Sequence, residues 1–351
     1  MNLPLLSSTV ATVDPRHDPH WKTLAAAGGS LFTSPPWIRS VCDTYGFTPQ
    51  ARVILDGDGI PRDGFAWVDI SDIRGERRVS LPFSDRAEPM VSDLAAWPVL
   101  VDDALDPDLP LTIRCFDGAG PTSDPRFERS GQAAWHGTNL DVTTDDLHQS
   151  LHPSTKRAIA SAHRRGVEVR PHTGVDAVRT FHDMHVVLRK NKYRLLAQPL
   201  EFFERIWEEF SAADGIVTLL AYADGDPIAG AVLLAWGDTL YFKFAASRNG
   251  TLSLMPNYAV YWQTIKWAAE HGFALVDWGL SDLDQPGLVA YKRKWVTTES
   301  RIITLRAPGD GHRQTSDSAA LLEGLTTLLT DDSVPDSVTA GAGSLLYRYF
   351  T

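Results

Sequence analysis

Between residues 211 and 306, short apolar runs alternate with turn residues, and their spacing predicts an ordered series of elements. Asp224-Gly225 and Gly237-Asp238 separate three such runs. Two-residue Asp/Gly connections of this kind are typical of β-hairpins. The pattern therefore predicts three consecutive antiparallel strands, at 216–223, 227–236 and 239–246.

A helical pattern follows the third strand after a short loop. Pro256 is placed to open the helix, and Gly272 is placed to end it just after His271. Proline at the start and glycine past the end are the usual helix boundaries. The apolar run 273–279 follows at once and predicts a strand parallel to the third one. A basic loop and a further strand, ending near Arg306, complete the series.

A meander, a helix and a parallel strand form the core of the GNAT acyltransferase fold, and the chain resembles the Fem-type tandem GNAT transferases. The resemblance lies mainly in residues 224–247 and 255–279 and in the motif Tyr291-Lys-Arg-Lys-Trp295. Residues 151–169 resemble that family's basic interdomain helix, and 32–41 and 79–85 resemble its first domain. The resemblance implies an α/β (α+β) fold with two tandem GNAT-like domains, each a mixed sheet flanked by helices.

The length of 351 residues suits two domains of about 150 residues each. We expect a first GNAT-like domain at 1–150 and a second at 151–307, opened by the basic helix. The first domain is predicted to contain a helix after Ser34 and strands at 51–55, 64–70, 76–81 and 111–116. The resemblance implies that C-terminal helices within 308–351 return to the first domain.

The composition argues for a cytoplasmic protein without a membrane span. No run of 18 uncharged apolar residues exists, and the N-terminal residues lack a basic segment followed by a long apolar one. Cys42 and Cys115 stand alone, so we expect buried, reduced thiols. The spacing of the 11 histidines does not predict a metal site.

Basic residues are concentrated in one part of an otherwise acidic chain. Ten Lys/Arg residues lie between Thr155 and Arg194, opposed by three acidic residues, whereas the whole chain has a net charge of −11. A basic island of this kind favours a localised contact with a polyanion. Lys156, Arg157 and Arg164 are the predicted phosphate-binding or RNA-binding residues. The alternative is a solvated helix face.

The loop before the predicted helix at Pro256 bears on the acyl donor. Enzymes that use acyl-CoA normally hold the diphosphate with a glycine-rich loop before this helix. Residues 248–256 contain one glycine and a proline in the wrong spacing. This favours a donor other than CoA, and the resemblance implies aminoacyl-tRNA as a co-substrate, with no resident cofactor. An acyl-CoA donor is the alternative.

Acyl transfer to an amine needs a proton acceptor and a cation or hydrogen-bond donors at the developing oxyanion. Lys292 matches the lysine of the family's Phe-Lys-x-x-Phe-Gly motif, although Tyr291 and Trp295-Val296 depart from it. We expect Lys292 to stabilise the oxyanion from a loop after the last splayed strand. Asp277, at the end of that strand, is the candidate proton acceptor. An exposed lysine and a turn-capping aspartate are the alternatives.

Further side chains are predicted to bind substrate. Tyr241 and Lys243 alternate with Phe242 and Phe244 on one strand, so we expect the tyrosine and lysine to face the cleft and both phenylalanines to face the core. The predicted substrate-binding set is Arg39, Arg189, Arg194, Tyr241, Lys243, Asn257 and Tyr258. The resemblance implies a small-molecule or peptide amine acceptor, either a peptidoglycan precursor or a small metabolite, bound between the domains. A non-catalytic binding module is a further alternative.

Overall fold

A computed structural model describes residues 8–309 and 316–351 and shows two compact α/β units. The first unit comprises described residues within 1–133 and 300–318, with Thr351. The second comprises 134–299 and 319–350. The predicted fold class is confirmed: both units contain mixed sheets with helices. The division differs from the predicted one at 150, because the chain leaves the first unit in the middle of a strand.

The strands in chain order are β1 Thr9–Val13, β2 Pro49–Leu55, β3 Pro61–Asp72, β4 Gly75–Val79, β5 Leu111–Phe116, β6 Glu128–Asn139, β7 Glu168–His172, β8 Ile216–Ala223, β9 Asp226–Trp236, β10 Thr239–Ser247, β11 Leu275–Asp282 and β12 Thr298–Ala307. The helices are α1 Pro19–Gly28, α2 Pro35–Tyr45, α3 Ala96–Val101, α4 Thr144–Ser150, α5 Pro153–Arg164, α6 Val175–Leu188, α7 Leu200–Ser211, α8 Pro256–Glu270, α9 Pro286–Lys292, α10 Ser316–Leu329 and α11 Asp336–Leu346. A π-helical turn, Arg189–Tyr193, follows α6.

In the first unit, β1 to β4 form an antiparallel series, and β4 pairs with β5 in parallel. The end of β12 pairs with β5 in antiparallel register, from Ile302 opposite Phe116 to Ala307 opposite Leu111. The core of this unit includes Phe65, Trp97 and Cys115. Burial raises the pKa of the Cys115 thiol to about 12 and that of Cys42 further still, so both thiols stay protonated. Their predicted burial is confirmed.

In the second unit, β7, β8, β9 and β10 form an antiparallel series, and β10 pairs with β11 in parallel. The predicted meander, helix and parallel strand are therefore confirmed. Gly272 ends α8 in the left-handed region, at φ 76°, as its position predicts. Phe244 packs against Phe203 of α7, and Phe242 packs against Tyr261 of α8.

A β-bulge in β10 corrects one prediction. The register to β9 shifts between Phe242, which is opposite Leu233, and Phe244, which is opposite Val232, so that Lys243 is the extra residue of the bulge. One extra residue reverses the alternation of faces. Phe242 and Phe244 are both buried, but they face different helices and not the same side.

Three elements of the second unit were not predicted as such. β6 contains Gly131 and Gly137, which weaken a strand pattern. β7 is short and largely exposed, so it shows no apolar alternation. α9 is a seven-residue helix at 286–292 where a loop was expected, and Lys292 is its last residue. Short helices leave too few residues for a periodic pattern.

The C-terminal helices differ from the prediction, because residues 319–350 group with the second unit. Lys190 Nζ, at the end of α6, donates to Asp336 Oδ1 at 2.8 Å and also to the carbonyl oxygen of Val334. Arg194 Nη1 donates to the carbonyl oxygen of Thr330 at 2.8 Å. These bonds fix the segment between α10 and α11 to the basic turn after α6. Of the described helices, none has both the length and the apolar character needed to cross a membrane.

Candidate functional site

The parallel strands β10 and β11 pair only at their beginnings. The paired positions run from Thr239 opposite Leu275 to Tyr241 opposite Asp277. Beyond this point β10 continues to Ser247 and β11 to Asp282 without pairing to each other. The divergence opens a cavity of about 520 Å³ in the second unit, the splay cavity. It is lined by Leu188, Lys192, Tyr193, Ala245, Ala246, Ser247, Asn257, Tyr261, Gln285, Gly287, Leu288 and Tyr291.

Aromatic rings form the inner wall of the splay cavity. Tyr261 stacks on Trp278 with 4.8 Å between ring centroids. Tyr261 and Tyr291 make an edge-to-face contact with 5.2 Å between ring centroids. Burial raises the pKa of both tyrosines well above the usual range, so both phenols stay protonated. The Tyr291 hydroxyl is buried, and among the described residues it forms no hydrogen bond of good geometry, although the Trp295 side chain lies near enough to act on its pKa. It is a preformed donor at the edge of the cavity.

Asp277 lies on β11, and Lys292, the last residue of α9, is bonded to the same strand. Lys292 is 7% exposed, and its Nζ donates to the carbonyl oxygen of Leu280 at 2.7 Å. Asp277 is 2% exposed, and its Oδ1 accepts from the amide of Gly279 at 2.7 Å. Gly279 has a φ of 70°, a conformation that favours glycine. Lys292 therefore lies inside the unit and is not directed to bulk solvent.

A second cavity of about 520 Å³, the basic cavity, also lies in the second unit. Lys156, Arg293 and Lys294 contribute positive charge to its wall. Lys156 Nζ donates to the carbonyl oxygen of Gln149 at 2.9 Å, and Arg293 forms an ion pair of 2.7 Å with Glu299. Its other lining residues are Thr138, Leu147, Gln149, Ser150, Leu151, His152, Pro153, Ile265, Trp295, Val296 and Thr297.

The motif at 291–295 separates the two cavities. Tyr291 lines the splay cavity, whereas Arg293, Lys294 and Trp295 line the basic cavity. Lys294 Nζ donates to the Tyr258 hydroxyl at 2.9 Å and lies 5.3 Å from the centroid of the Tyr291 ring. Tyr291 lies in the last turn of α9 and Arg293 directly follows the helix, so these two residues line different cavities although they are two positions apart.

A buried histidine lies beside this motif. His136, on β6, is fully buried, and its Nδ1 is 3.5 Å from Glu299 Oε2. At that distance neither ring nitrogen has a hydrogen-bond partner. Burial, and then the positive charge of Lys292, lower the pKa of His136 to about 4. The imidazole is therefore neutral at pH 7.

The remaining predicted residues of the second unit fall into three groups. Asn257 lines the splay cavity, and Tyr258 packs between Tyr291 and Trp295 behind it. Tyr241 is buried at the last paired position of β10, and the half-buried Lys243 lies at the bulge. Neither lines the two cavities described here. Arg157 and Arg164 are exposed on α5.

Three predicted substrate-binding arginines have structural partners instead. Arg39, in the first unit, donates to the carbonyl oxygen of Arg16 at 2.7 Å. Arg189 donates to the carbonyl oxygen of Leu196 at 3.0 Å, and Arg194 pairs with Asp332 at 2.6 Å. The sequence shows the basic run at 189–194 but not the pairing of Arg194 with Asp332, which lies 138 positions further along the chain.

Sequence reasoning missed other residues at the two cavities. Lys192, Tyr193, Tyr261 and Tyr291 line the splay cavity. Tyr261 lies one helical turn after Asn257, and this spacing predicts that both side chains lie on the same face of the helix. Lys192 and Tyr193 depend on the π-helical turn, for which the sequence gives no pattern. Arg293 and Lys294 belong to the motif already quoted, but their cavity depends on α4 and α5.

The loop before α8 uses its own amides. Leu254 N donates to the carbonyl oxygen of Thr251 at 2.9 Å, Met255 N to that of Leu252 at 3.0 Å, and Tyr258 N to that of Met255 at 3.1 Å. Pro256 has no N–H to offer. These amides are not available to a diphosphate group.

The histidines of α6 have structural roles. His182 Nε2 lies 3.0 Å from the carbonyl oxygen of Gln198, and His185 Nε2 lies 2.8 Å from Gln198 Oε1. Burial lowers the pKa of both, that of His185 to about 3. Among residues 8–309 and 316–351, no group of three or more His, Cys, Asp or Glu residues is placed to hold a metal ion.

Comparison with known proteins places residues 150–293 in the acetyltransferase (GNAT) domain family. The chain is 31% identical over 100 residues to a lipid II:glycine glycyltransferase of Staphylococcus haemolyticus, covering 26% of this chain and 24% of that protein. It is 34% identical over 80 residues to the Staphylococcus epidermidis enzyme of that name, covering 21% and 19%. The chain thus aligns with about a quarter or less of each of these relatives.

Solved structures extend the likeness of fold to most of the chain. The crystal structure of FemX matches with a TM-score of 0.64 at 14% identity, covering 89% of this chain and 100% of FemX. The structure of L-PGS from Bacillus licheniformis matches with a TM-score of 0.54 at 12% identity, covering 88% and 97%. The predicted resemblance is confirmed: residues 150–293 match the GNAT domain family, and the chain is similar in sequence to Fem-type glycyltransferases over part of its length and in fold to FemX over most of it.

Proposed function

We propose that this protein is an N-acyltransferase that forms an amide bond between an activated acyl group and a primary amine. The divergence of β10 and β11 supports this proposal, because it opens a cavity lined by Tyr291, the chain neighbour of the buried Lys292, within the segment that matches the GNAT family. Beyond Tyr241 and Asp277 the two strands do not pair with each other, and we propose that an extended acyl donor lies between them.

The reaction that fits these residues is nucleophilic attack of the amine on the acyl carbonyl carbon. The C–N bond forms, a tetrahedral oxyanion develops, and the C–O bond of the donor ester breaks. The amine proton passes to an acceptor and then to the leaving hydroxyl group. Lys292 would stabilise the oxyanion after exchanging its bond to the Leu280 carbonyl oxygen, and Asp277 is the proposed proton acceptor.

We propose aminoacyl-tRNA as the donor and no resident cofactor. The occupied amides of Leu254, Met255 and Tyr258 argue against a diphosphate at the position where CoA enzymes bind it. The basic cavity provides three cationic side chains suited to phosphodiester groups. The exposed Arg157 and Arg164 extend the positive surface along α5, which favours a long polyanion over a single phosphate.

The acceptor is proposed to be an amine of a peptidoglycan precursor. The relatives named lipid II:glycine glycyltransferase support an amine of this class, and a small metabolite amine is the alternative. We place the reaction in the cytoplasm, where aminoacyl-tRNA is present.

The proposal is tested by presenting the full chain with matched donors and a peptidoglycan precursor that carries a lysine. The donors are an aminoacylated RNA minihelix, the same minihelix without its amino acid, and acetyl-CoA. We expect amide product, detected by mass spectrometry, only with the aminoacylated minihelix. Product with acetyl-CoA alone would replace the RNA donor by a thioester. If no donor gives product with any amine acceptor, the alternative of a binding module is favoured.

A further inference from the structure

The π-helical turn Arg189–Tyr193 is an unusual element at the rim of the splay cavity. It continues α6 and ends at Arg194, which lies in the left-handed region at φ 53°. Single π-helical turns occur often at functional sites. A left-handed arginine is strained and persists only where surrounding contacts hold it.

The C-terminal segment holds this turn in place. Lys190 is buried and bonded to Asp336, while Arg194 is bonded to Thr330 and Asp332. Arg189 donates to the carbonyl oxygen of Leu196. Three of the four basic residues between 189 and 194 are therefore committed to contacts that fix the backbone.

Two of the three residues between Lys190 and Arg194 line the splay cavity instead: Lys192 and Tyr193. Tyr193 is 45% exposed, and Lys192 Nζ lies 5.0 Å from the centroid of its ring. Within the described residues, Lys192 forms no ion pair. Both residues line the cavity.

We propose that Lys192 and Tyr193 form a binding platform for the adenosine nucleotide end of the acyl donor. The exposed ring offers a flat face on which a base stacks, and the adjacent ammonium meets the nucleotide phosphate. This inference rests on the proposed function, because it assigns the donor end of the same cavity. Both candidate donors contain an adenosine nucleotide, at the 3′ end of tRNA or in CoA, so the platform recognises chemistry that they share.

The fixed backbone favours a preformed platform. A turn anchored at Lys190 and Arg194 does not have to be ordered when the nucleotide binds, so binding avoids that entropic cost. The opposite wall offers Gln285 as a polar group and Leu288 as an apolar one, which suits a base with mixed edges.

The test is a titration of the full chain with AMP and with adenosine, followed by calorimetry. The variants are Tyr193→Ala, Tyr193→Phe and Lys192→Ala. Leu195→Ala is the matched control, because Leu195 is exposed in the same segment but does not line the cavity. We expect Tyr193→Ala to weaken AMP binding about tenfold or more and Tyr193→Phe to retain it. Lys192→Ala is expected to weaken AMP binding but not adenosine binding.

Two further probes distinguish the source of the nucleotide: an RNA trinucleotide ending in CCA, and CoA. A loss confined to CCA on Tyr193→Ala assigns the platform to RNA, and a loss confined to CoA assigns it to the thioester donor. If wild-type protein does not bind AMP, or if Tyr193→Ala binds it as wild type does with an unchanged melting temperature, the platform is refuted. A responsive platform in a protein that transfers no acyl group would refute the proposed function and leave the platform standing.

Discussion

The two cavities of the second unit have similar volumes, about 520 Å³ each, but different walls. The splay cavity is lined mainly by aromatic rings, with Lys192 at its rim, and burial keeps the hydroxyl groups of Tyr261 and Tyr291 protonated by raising their pKa. The basic cavity has three cationic side chains. An aromatic wall suits a neutral or planar group, whereas a cationic wall suits phosphate. If the proposed function holds, the difference would let the reacting and the anchoring groups of one donor bind on either side of the motif at 291–295.

The geometry of the motif at 291–295 explains how residues close in sequence line two cavities with different walls. Residues 291–295 leave a helix, so neighbours point in directions about 100° apart. Tyr291 and Arg293 thus reach different cavities, and Lys292 points to β11 between them. A strand or an extended loop would direct alternate residues to the same side.

The largest expected effect is that of Lys292, whose proposed role concerns the reacting group alone. Lys292→Ala should lower turnover by about 100-fold to 1,000-fold, the usual effect of losing one oxyanion-stabilising group. Because the Leu280 carbonyl oxygen loses its partner, the free energy of unfolding should also fall by about 1–3 kcal/mol. Rates measured well below the melting temperature separate the two effects.

Lys292→Arg and the exposed Lys22→Ala are the controls for this prediction. We expect the arginine to restore little activity, because the buried position suits a compact ammonium better than a planar guanidinium. Full turnover in Lys292→Ala would remove the distinction between a reacting cavity and an anchoring one.

The stability of the folded protein should fall in acid because of His136, which lies beside the motif that separates the two cavities. Its pKa is about 4 in the folded protein and about 6.5 when unfolded, so the unfolded chain binds more protons between these values. Stability is therefore fully present above pH 6.5 and is lost as the pH falls toward 4, by about 3 kcal/mol for this group. Urea unfolding at pH 4.5 and pH 7 measures the loss.

His136→Asn is the variant that isolates this contribution. It should unfold with a weaker pH dependence than wild type, whatever its absolute stability. His185→Asn, away from the wall, should flatten the same limb independently, because its pKa is also lowered by burial. An unaltered pH dependence in His136→Asn would show that this imidazole titrates normally.

The basic cavity should control the salt dependence of RNA binding. Replacing Lys156, Arg293 and Lys294 with alanine should weaken binding of an RNA minihelix and reduce the slope of log K against log salt by about 2 units. Turnover at saturating donor should change little. The exposed Arg170→Ala is the matched control, since it removes one positive charge away from both cavities. An unchanged slope would favour the alternative in which these basic side chains are solvated and do not contact RNA.

The smallest effect is expected at Tyr291. Among the described residues its buried hydroxyl forms no hydrogen bond of good geometry and has only the neighbouring Trp295 indole as a weak partner, so Tyr291→Phe should raise the free energy of unfolding by up to about 1 kcal/mol. The same change should weaken donor binding if the hydroxyl donates to the donor. A variant that is more stable but binds the donor less well would mark Tyr291 as a group held ready for a ligand. Lower stability would contradict the absence of a strong partner.

The sequence predicts the second unit better than its cavities. β8 matches its predicted bounds, because its apolar run extends over eight residues between two turn signals. Lys292 was identified by resemblance, but its helix was not, since seven residues show no period. The anchoring of Arg194 at Asp332 depends on residues 138 positions apart, which no local pattern reveals. The bulge at Lys243 and the π-helical turn are likewise set by packing.

The bulge in β10 affects how this protein is to be aligned with others. Side chains alternate between the two faces of the sheet along β10, and the extra residue Lys243 reverses which positions, odd or even, face each side. An alignment with a relative that lacks the bulge must place a one-residue gap here. Without the gap, every position from Phe244 to Ser247 would be matched to a residue on the wrong face, and the residues that line the splay cavity would be compared with residues of a core.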